Sequence, residues 1–143
     1  MYAILYGEKM KINVNDLPTL KIIPGIQFFE NEIPFGNLLK LTIDNNYFRK
    51  VINTGPNHQI VLMSLLPGQE IGKETHYDTD QFFRIEQGKG IAIIDGIKIP
   101  LTADTFINVK QGSQHNIINN GKTKLKLYTI YSPAHHPAGL IVP

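Results

Sequence analysis

The sequence predicts an all-β fold, a sandwich or barrel of antiparallel strands. Short apolar runs rich in Ile, Val, Phe and Tyr recur at intervals of about 8–12 residues, the spacing of strands in such folds. Turn chemistry divides these runs: Asn53-Thr-Gly-Pro56, Pro67-Gly68, Gly88-Lys-Gly90 and Asp95-Gly96. Helical periodicity is nearly absent.

Residues 1–45 are the least regular part and read as an arm or cover strands ahead of the barrel. The one helix candidate runs from Ile33 to Leu41, weakened by Pro34 and Gly36. The barrel then occupies residues 46–132. Its strands are Phe48–Ile52, Gln59–Leu66, Gln81–Glu86, Ile91–Ile94, Ile97–Leu101, Thr105–Val109, His115–Ile118 and Leu125–Tyr131. Asp95-Gly96 is a favoured two-residue hairpin turn, so Ile91–Ile94 and Ile97–Leu101 should pair. Phe83, Ile85, Leu125 and Leu127 fall on inward positions and read as core. Residues 133–143 hold three prolines and read as an extended C-terminal tail.

A chain of 143 residues fits one domain and can bury a core without staples. It has no cysteine, which excludes disulfides, thiolate metal sites and cysteine nucleophiles. The formal charge is +2, too mild for a nucleic-acid binder, whose affinity comes largely from neutralising phosphates. Lys122, Lys124 and Lys126 alternate and read as a solvated strand face. No run approaches the ~18–20 apolar residues of a membrane span, and the N-terminus lacks a signal-peptide pattern. The expectation is a soluble cytoplasmic protein that binds neither membrane nor nucleic acid.

The chemistry concentrates in PGQEIGKETHYDTDQFFRIEQGKG, residues 67–90. Glu74 and His76 are two apart and face one side of a strand. Gln81 opens the next strand after the loop Tyr77-Asp-Thr-Asp80, and a later strand brings His115 behind the turn Lys110-Gln-Gly112. Four convergent nitrogen and oxygen groups suit a hard or borderline divalent ion such as Fe, Mn, Ni or Zn.

These positions resemble the two motifs of the cupin superfamily. The first motif is matched by Gly68, five residues, Glu74-Thr75-His76, four residues, Gln81, six residues and Gly88. The second is matched by Asp104, five residues, Lys110-Gln111-Gly112, two residues, His115, three residues and Asn119. The family's first His is Glu74 here, its Glu is Gln81, and its Gly and Pro in the second motif are Asp104 and Lys110. The resemblance implies a cupin-type jelly-roll β-barrel, commonly dimeric, with one divalent ion per chain at Glu74, His76, Gln81 and His115. The D-Q-F-F-R-I-E-x-G run looks like that of short stand-alone cupins, often labelled sugar-phosphate isomerase-like.

Glu74, His76 and His115 then form a two-His–one-carboxylate set, which suits non-haem iron. Gln81 would be a weak fourth ligand or a hydrogen-bonder to bound water. Tyr77 and Asp80 lie on the adjoining loop as candidate catalytic or substrate-contacting groups. His58 reads as a surface or packed histidine, and Arg84 should point outward with Glu86. His135 and His136 are adjacent, so a strand would not aim both at one site; they read as tail residues. The function expected is dioxygenase or isomerase chemistry on a small polar, sugar- or enediol-like molecule. The alternatives are a non-catalytic binding module and an assembly protein whose arm adds a strand to a partner.

Overall fold

The computed structural model describes residues 34–143 and, before them, the strands at residues 2–5, 8–11 and 27–28. The chain divides into two compact units, residues 1–38 and 39–143. In the first unit β1 (Tyr2–Leu5) pairs antiparallel with β2 (Glu8–Lys11), and β3 (Gln27–Phe28) with β4 (Pro34–Phe35). The remainder of the predicted arm before Pro34 lies outside the described residues.

The helix forms later than the sequence suggests. α1 spans Leu38–Asp44, preceded by Asn37, a residue type favoured before a first turn. Pro34 and Gly36 are excluded from it, because Pro removes a donor and Gly raises the entropic cost of a helix interior. Asn45 closes the end: its N–H reaches the Leu41 carbonyl at 3.1 Å and its side chain bridges the Tyr47 backbone.

The strands that follow are β5 (Arg49–Thr54), β6 (Gln59–Leu65), β7 (Glu74–Thr75), β8 (Asp80–Gln87) and β9 (Gly90–Ile94). Then come β10 (Ile97–Leu101), β11 (Phe106–Val109), β12 (Gln114–Ile118), β13 (Leu125–Ser132) and β14 (Ile141–Val142). They make two antiparallel sheets, ordered β10-β9-β12-β7 and β11-β8-β13-β6-β5-β14. This is a jelly roll. The hairpin at Asp95-Gly96 forms as predicted, with φ of 48° and 81° at its two central residues.

Alternation builds the core. Along β8, Gln81, Phe83 and Ile85 are buried while Phe82, Arg84 and Glu86 are not. Phe83, Ile85, Leu125 and Leu127 join Val61, Leu65, Ile117 and Tyr131 in one cluster of almost fully buried side chains. Arg84 reaches Glu86 at 3.2 Å and Asp104 at 2.9 Å on the outer face, as its strand position requires.

Two motif positions explain themselves structurally. Gly88 adopts φ 92°, and a Cβ there would lie 2.6 Å from the Lys124 carbonyl oxygen, so only Gly fits. Asn119 is fully buried, donates to the Leu65 and Thr123 carbonyls at 2.9 Å and accepts from Gly121 N–H at 3.0 Å. It braces loops rather than facing a ligand.

One surface expectation fails. Lys126 is not solvated: it is 3% exposed and its ammonium donates to the Asn45 carbonyl and to Asn46 Oδ1. The loop after α1 covers that end of β13. The C-terminal residues also take part in the larger sheet, where β14 pairs with β5 at the edge. Val51 N–H also donates to the Leu140 carbonyl at 2.9 Å.

Candidate metal centre between the two sheets

The two sheets contribute opposite sides of one polar cluster. Glu74 on β7 and His115 on β12 are direct cross-strand partners in the smaller sheet. His76 lies just beyond β7 and is tied down by its carbonyl, which accepts from Gly112 N–H. Gly112 takes φ 83°, the left-handed geometry that closes the Lys110–Gly112 turn. Gln81 comes from β8 in the larger sheet. It is paired with Val109 on one side and Tyr131 on the other.

One ligand atom from each of Glu74, His76 and His115 lies within 4.8 Å of the others. His76 Nε2 is 3.3 Å and His115 Nε2 3.9 Å from Glu74 Oε2. Both histidines are buried, at 8% and 1% exposure. Burial holds the His76 imidazole below its usual range, His135 and His115 push the same way, and Glu74 opposes them. A neutral imidazole is the ligand form.

The donor chemistry fits a cation. His76 Nε2 is buried and, among the described residues, makes no well-formed hydrogen bond, its nearest polar neighbour being Glu74 Oε2 at 3.3 Å, although a buried ring nitrogen normally has a partner. His115 Nδ1 lies 3.1 Å from the Ser113 carbonyl, which fixes Nδ1 as the protonated nitrogen and leaves a lone pair on Nε2. That lone pair meets Gln81 Oε1 at 3.0 Å, two acceptors face to face. A turned amide would relieve the clash without an ion, donating to His115 and accepting from the Thr129 hydroxyl. A cation beside both atoms relieves it as the side chain stands, with Gln81 Nε2 donating to Thr129 Oγ1 at 3.0 Å. About 3.0 Å is the separation of neighbouring ligands around an octahedral ion with bonds of about 2.1 Å.

The other named candidates are placed differently. Tyr77 is 80% exposed, and the Asp80 carboxylate accepts the Gln111 N–H at 2.9 Å, tying its loop to the Lys110–Gly112 turn. The structure adds residues that the motifs do not contain. Arg49 on β5 puts Nη2 3.7 Å from Glu74 Oε1. The His135 ring packs at 4.2 Å from that of His76, and His136 Nε2 is 3.2 Å from the Tyr131 hydroxyl. Treating both histidines as tail residues alone was therefore incomplete. An irregular segment between β13 and β14, not a strand, carries them, so adjacency does not force them apart. Arg49 did leave a signal, being a charge two residues before the core-facing Val51.

The Cupin domain family matches residues 61–131, and a crystal structure of a Bacillus halodurans protein superposes with a TM-score of 0.76 at 35% identity. That superposition covers 79% of this chain and 91% of the other. The chain belongs to the cupin superfamily. An uncharacterized protein of Acanthamoeba polyphaga mimivirus is 46% identical over 78% of this cupin and 72% of its own length. The uncharacterized Bacillus subtilis protein YrkC is 45% identical over 73% of this chain and 60% of its own. Among the described residues no helix is long and apolar enough to cross a membrane.

Proposed function

We propose that this cupin binds one divalent metal ion through Glu74, His76 and His115, with Gln81 as fourth ligand. We further propose that it acts on a small polar, sugar- or enediol-like molecule by dioxygenase or isomerase chemistry, as a homodimer of the short D-Q-F-F-R-I-E-x-G kind. The observation that carries the reading is the buried, unpartnered Nε2 of His76, gathered with a carboxylate oxygen and a second imidazole nitrogen. Buried donors of that kind are satisfied by a cation.

A bound ion of this class supplies Lewis-acid polarisation of a carbonyl or hydroxyl and, where redox-active, oxygen chemistry. The chain's own residues set the stage. Glu74 provides the one anionic donor, which the usual family set places at the position of Gln81. Ser113 fixes the His115 tautomer, and Thr129 orients the Gln81 amide. Phe83, edge-on to His115 at 6.0 Å, walls the cluster with apolar surface.

A second reading is a binding module without turnover. It is favoured by the exposure of Tyr77 and the engagement of Asp80 with Gln111, which leave the two loop candidates for proton transfer otherwise occupied. Metal content of untagged protein purified without chelators, measured by elemental mass spectrometry beside Glu74→Ala/His76→Ala, tests the shared premise. About one ion per chain, lost in the variant, is expected. No uptake of Fe, Mn, Ni or Zn by the wild type overturns it. Sedimentation equilibrium tests the dimer.

A further inference from the structure

Arg49 holds a largely buried side chain. It is 14% exposed, and its Nε is buried with no hydrogen bond among the described residues. Among those residues its ionic neighbour is Glu74, with Nη2 3.7 Å from Oε1, beyond the ~2.7–3.2 Å of an N–H···O bond, and its guanidinium carbon lies 5.4 Å from the Phe48 ring centroid. A largely buried charge whose Nε–H is buried and unsatisfied is unfavourable unless something completes it. The two oxygens of Glu74 face different ways: Oε2 lies nearest the histidines and Oε1 nearest Arg49.

We propose that Arg49 receives the carboxylate of a small organic acid whose neighbouring hydroxyl or carbonyl oxygen lies toward Glu74, His76 and His115. The second contact rests on the metal reading above; the first does not. A divalent ion brings two positive charges, Glu74 cancels one and Arg49 restores one, so a neutral sugar or diol would leave the cluster strongly cationic. A planar fork of N–H donors matches a planar carboxylate in two-point contact. Among the described residues, Arg49 pairs with no anion besides Glu74. Tyr131 is held in its phenol form by burial, and His136 stays neutral through burial and the charge of Arg49 itself.

The test is calorimetric titration of zinc-loaded protein with glycolate and pyruvate, against ethylene glycol and hydroxyacetone as neutral counterparts and inorganic phosphate as a non-planar anion. The two acids are expected to bind at least about tenfold more tightly than their neutral counterparts and than phosphate. Arg49→Gln should remove at least about tenfold of that affinity with zinc stoichiometry unchanged. Arg49→Lys keeps the charge without the fork, so it should retain a preference for acids at intermediate affinity. It also supplies the readout if melting shows Arg49→Gln unfolded. Equal binding of acids and neutral molecules, tighter binding of phosphate, undiminished acid affinity in a folded Arg49→Gln, or no acid binding at all would each overturn the proposal. If the wild type takes up no metal, the metal reading fails by itself. The same titration on metal-free protein then decides the role of Arg49: acid binding lost in Arg49→Gln sustains it, and absent or unchanged binding ends it.

Discussion

Gln59 grips both backbone groups of His136: its Oε1 accepts the His136 N–H at 2.9 Å and its Nε2 donates to the His136 carbonyl at 2.7 Å. The same Oε1 takes the His135 N–H at 3.2 Å, and the same Nε2 reaches Thr54 Oγ1 at 2.9 Å. Fully buried opposite Tyr131, the Gln59 amide does for the C-terminal segment what a neighbouring strand would do. It seats His135 on the ring of His76 and His136 on that of Tyr131.

Replacing Gln59 by Leu keeps similar bulk but leaves three backbone groups of the segment unpaired. Each lost bond is worth about 0.5–1.5 kcal/mol, and a group left buried without a partner costs more. We expect Gln59→Leu to lower unfolding free energy by about 2–4 kcal/mol in urea denaturation. We also expect faster amide exchange at His135 and His136 and at Val51, whose N–H is held by the Leu140 carbonyl. Unaltered protection at these amides would show that the pairing of β14 with β5 holds the segment alone.

His136 gives the metal-free protein an acid-side weakness. Burial chiefly, then the charges of Arg49, His135 and His76, lower its pKa to about 4 from an ordinary 6.5. Its folded-state pKa lies below its unfolded value, so the unfolded chain binds more protons between the two, and stability rises with pH there. The contribution is complete above about pH 6.5 and is lost as pH falls toward 4. Melting temperature of the metal-free wild type should therefore fall through this window. The fall should be shallower in His136→Gln, and part of it should remain because His76 is lowered in the same direction. Parallel profiles for the two proteins would remove His136 from the account.

The inner face of the barrel strands was legible because it follows from a two-residue period. The burial of Gln81, Phe83 and Ile85 against Phe82, Arg84 and Glu86 is that period made visible. The meeting of Glu74, His76, Gln81 and His115 was legible for a related reason, since motif spacing sets them on, or one residue beyond, strands that meet across the barrel. Lys126 escaped because alternation gives a face but does not say what covers it, and the loop at Asn45 and Asn46 does. His135 and His136 escaped because an irregular segment obeys no such period, and their seat depends on Gln59, far away in sequence. Arg49 was visible as a charge on a core-facing position, yet nothing local says that Glu74 lies across from it.

Asp104 stands where the family motif has Gly, and its backbone takes a conformation that Gly adopts freely. Its φ is 67°, in the left-handed region, and its N–H still donates to the Ile85 carbonyl at 2.9 Å. Asp tolerates that region better than most residues, whereas a β-branched side chain there is a genuine outlier. The carboxylate also meets Arg84 at 2.9 Å, but this pair is exposed on the Asp side and such contacts contribute little. Asp104→Gly should therefore leave unfolding free energy within about 0.5 kcal/mol of the wild type, relief of the left-handed backbone offsetting the lost ion pair. Asp104→Val should lower it by about 1–2 kcal/mol, because its side chain clashes in that region and brings no hydrogen bond. Urea denaturation of the three proteins separates the backbone from the ion pair. If Gly is as damaging as Val, the Arg84 contact matters more than the φ angle, and the departure from the motif is explained by Arg84 instead.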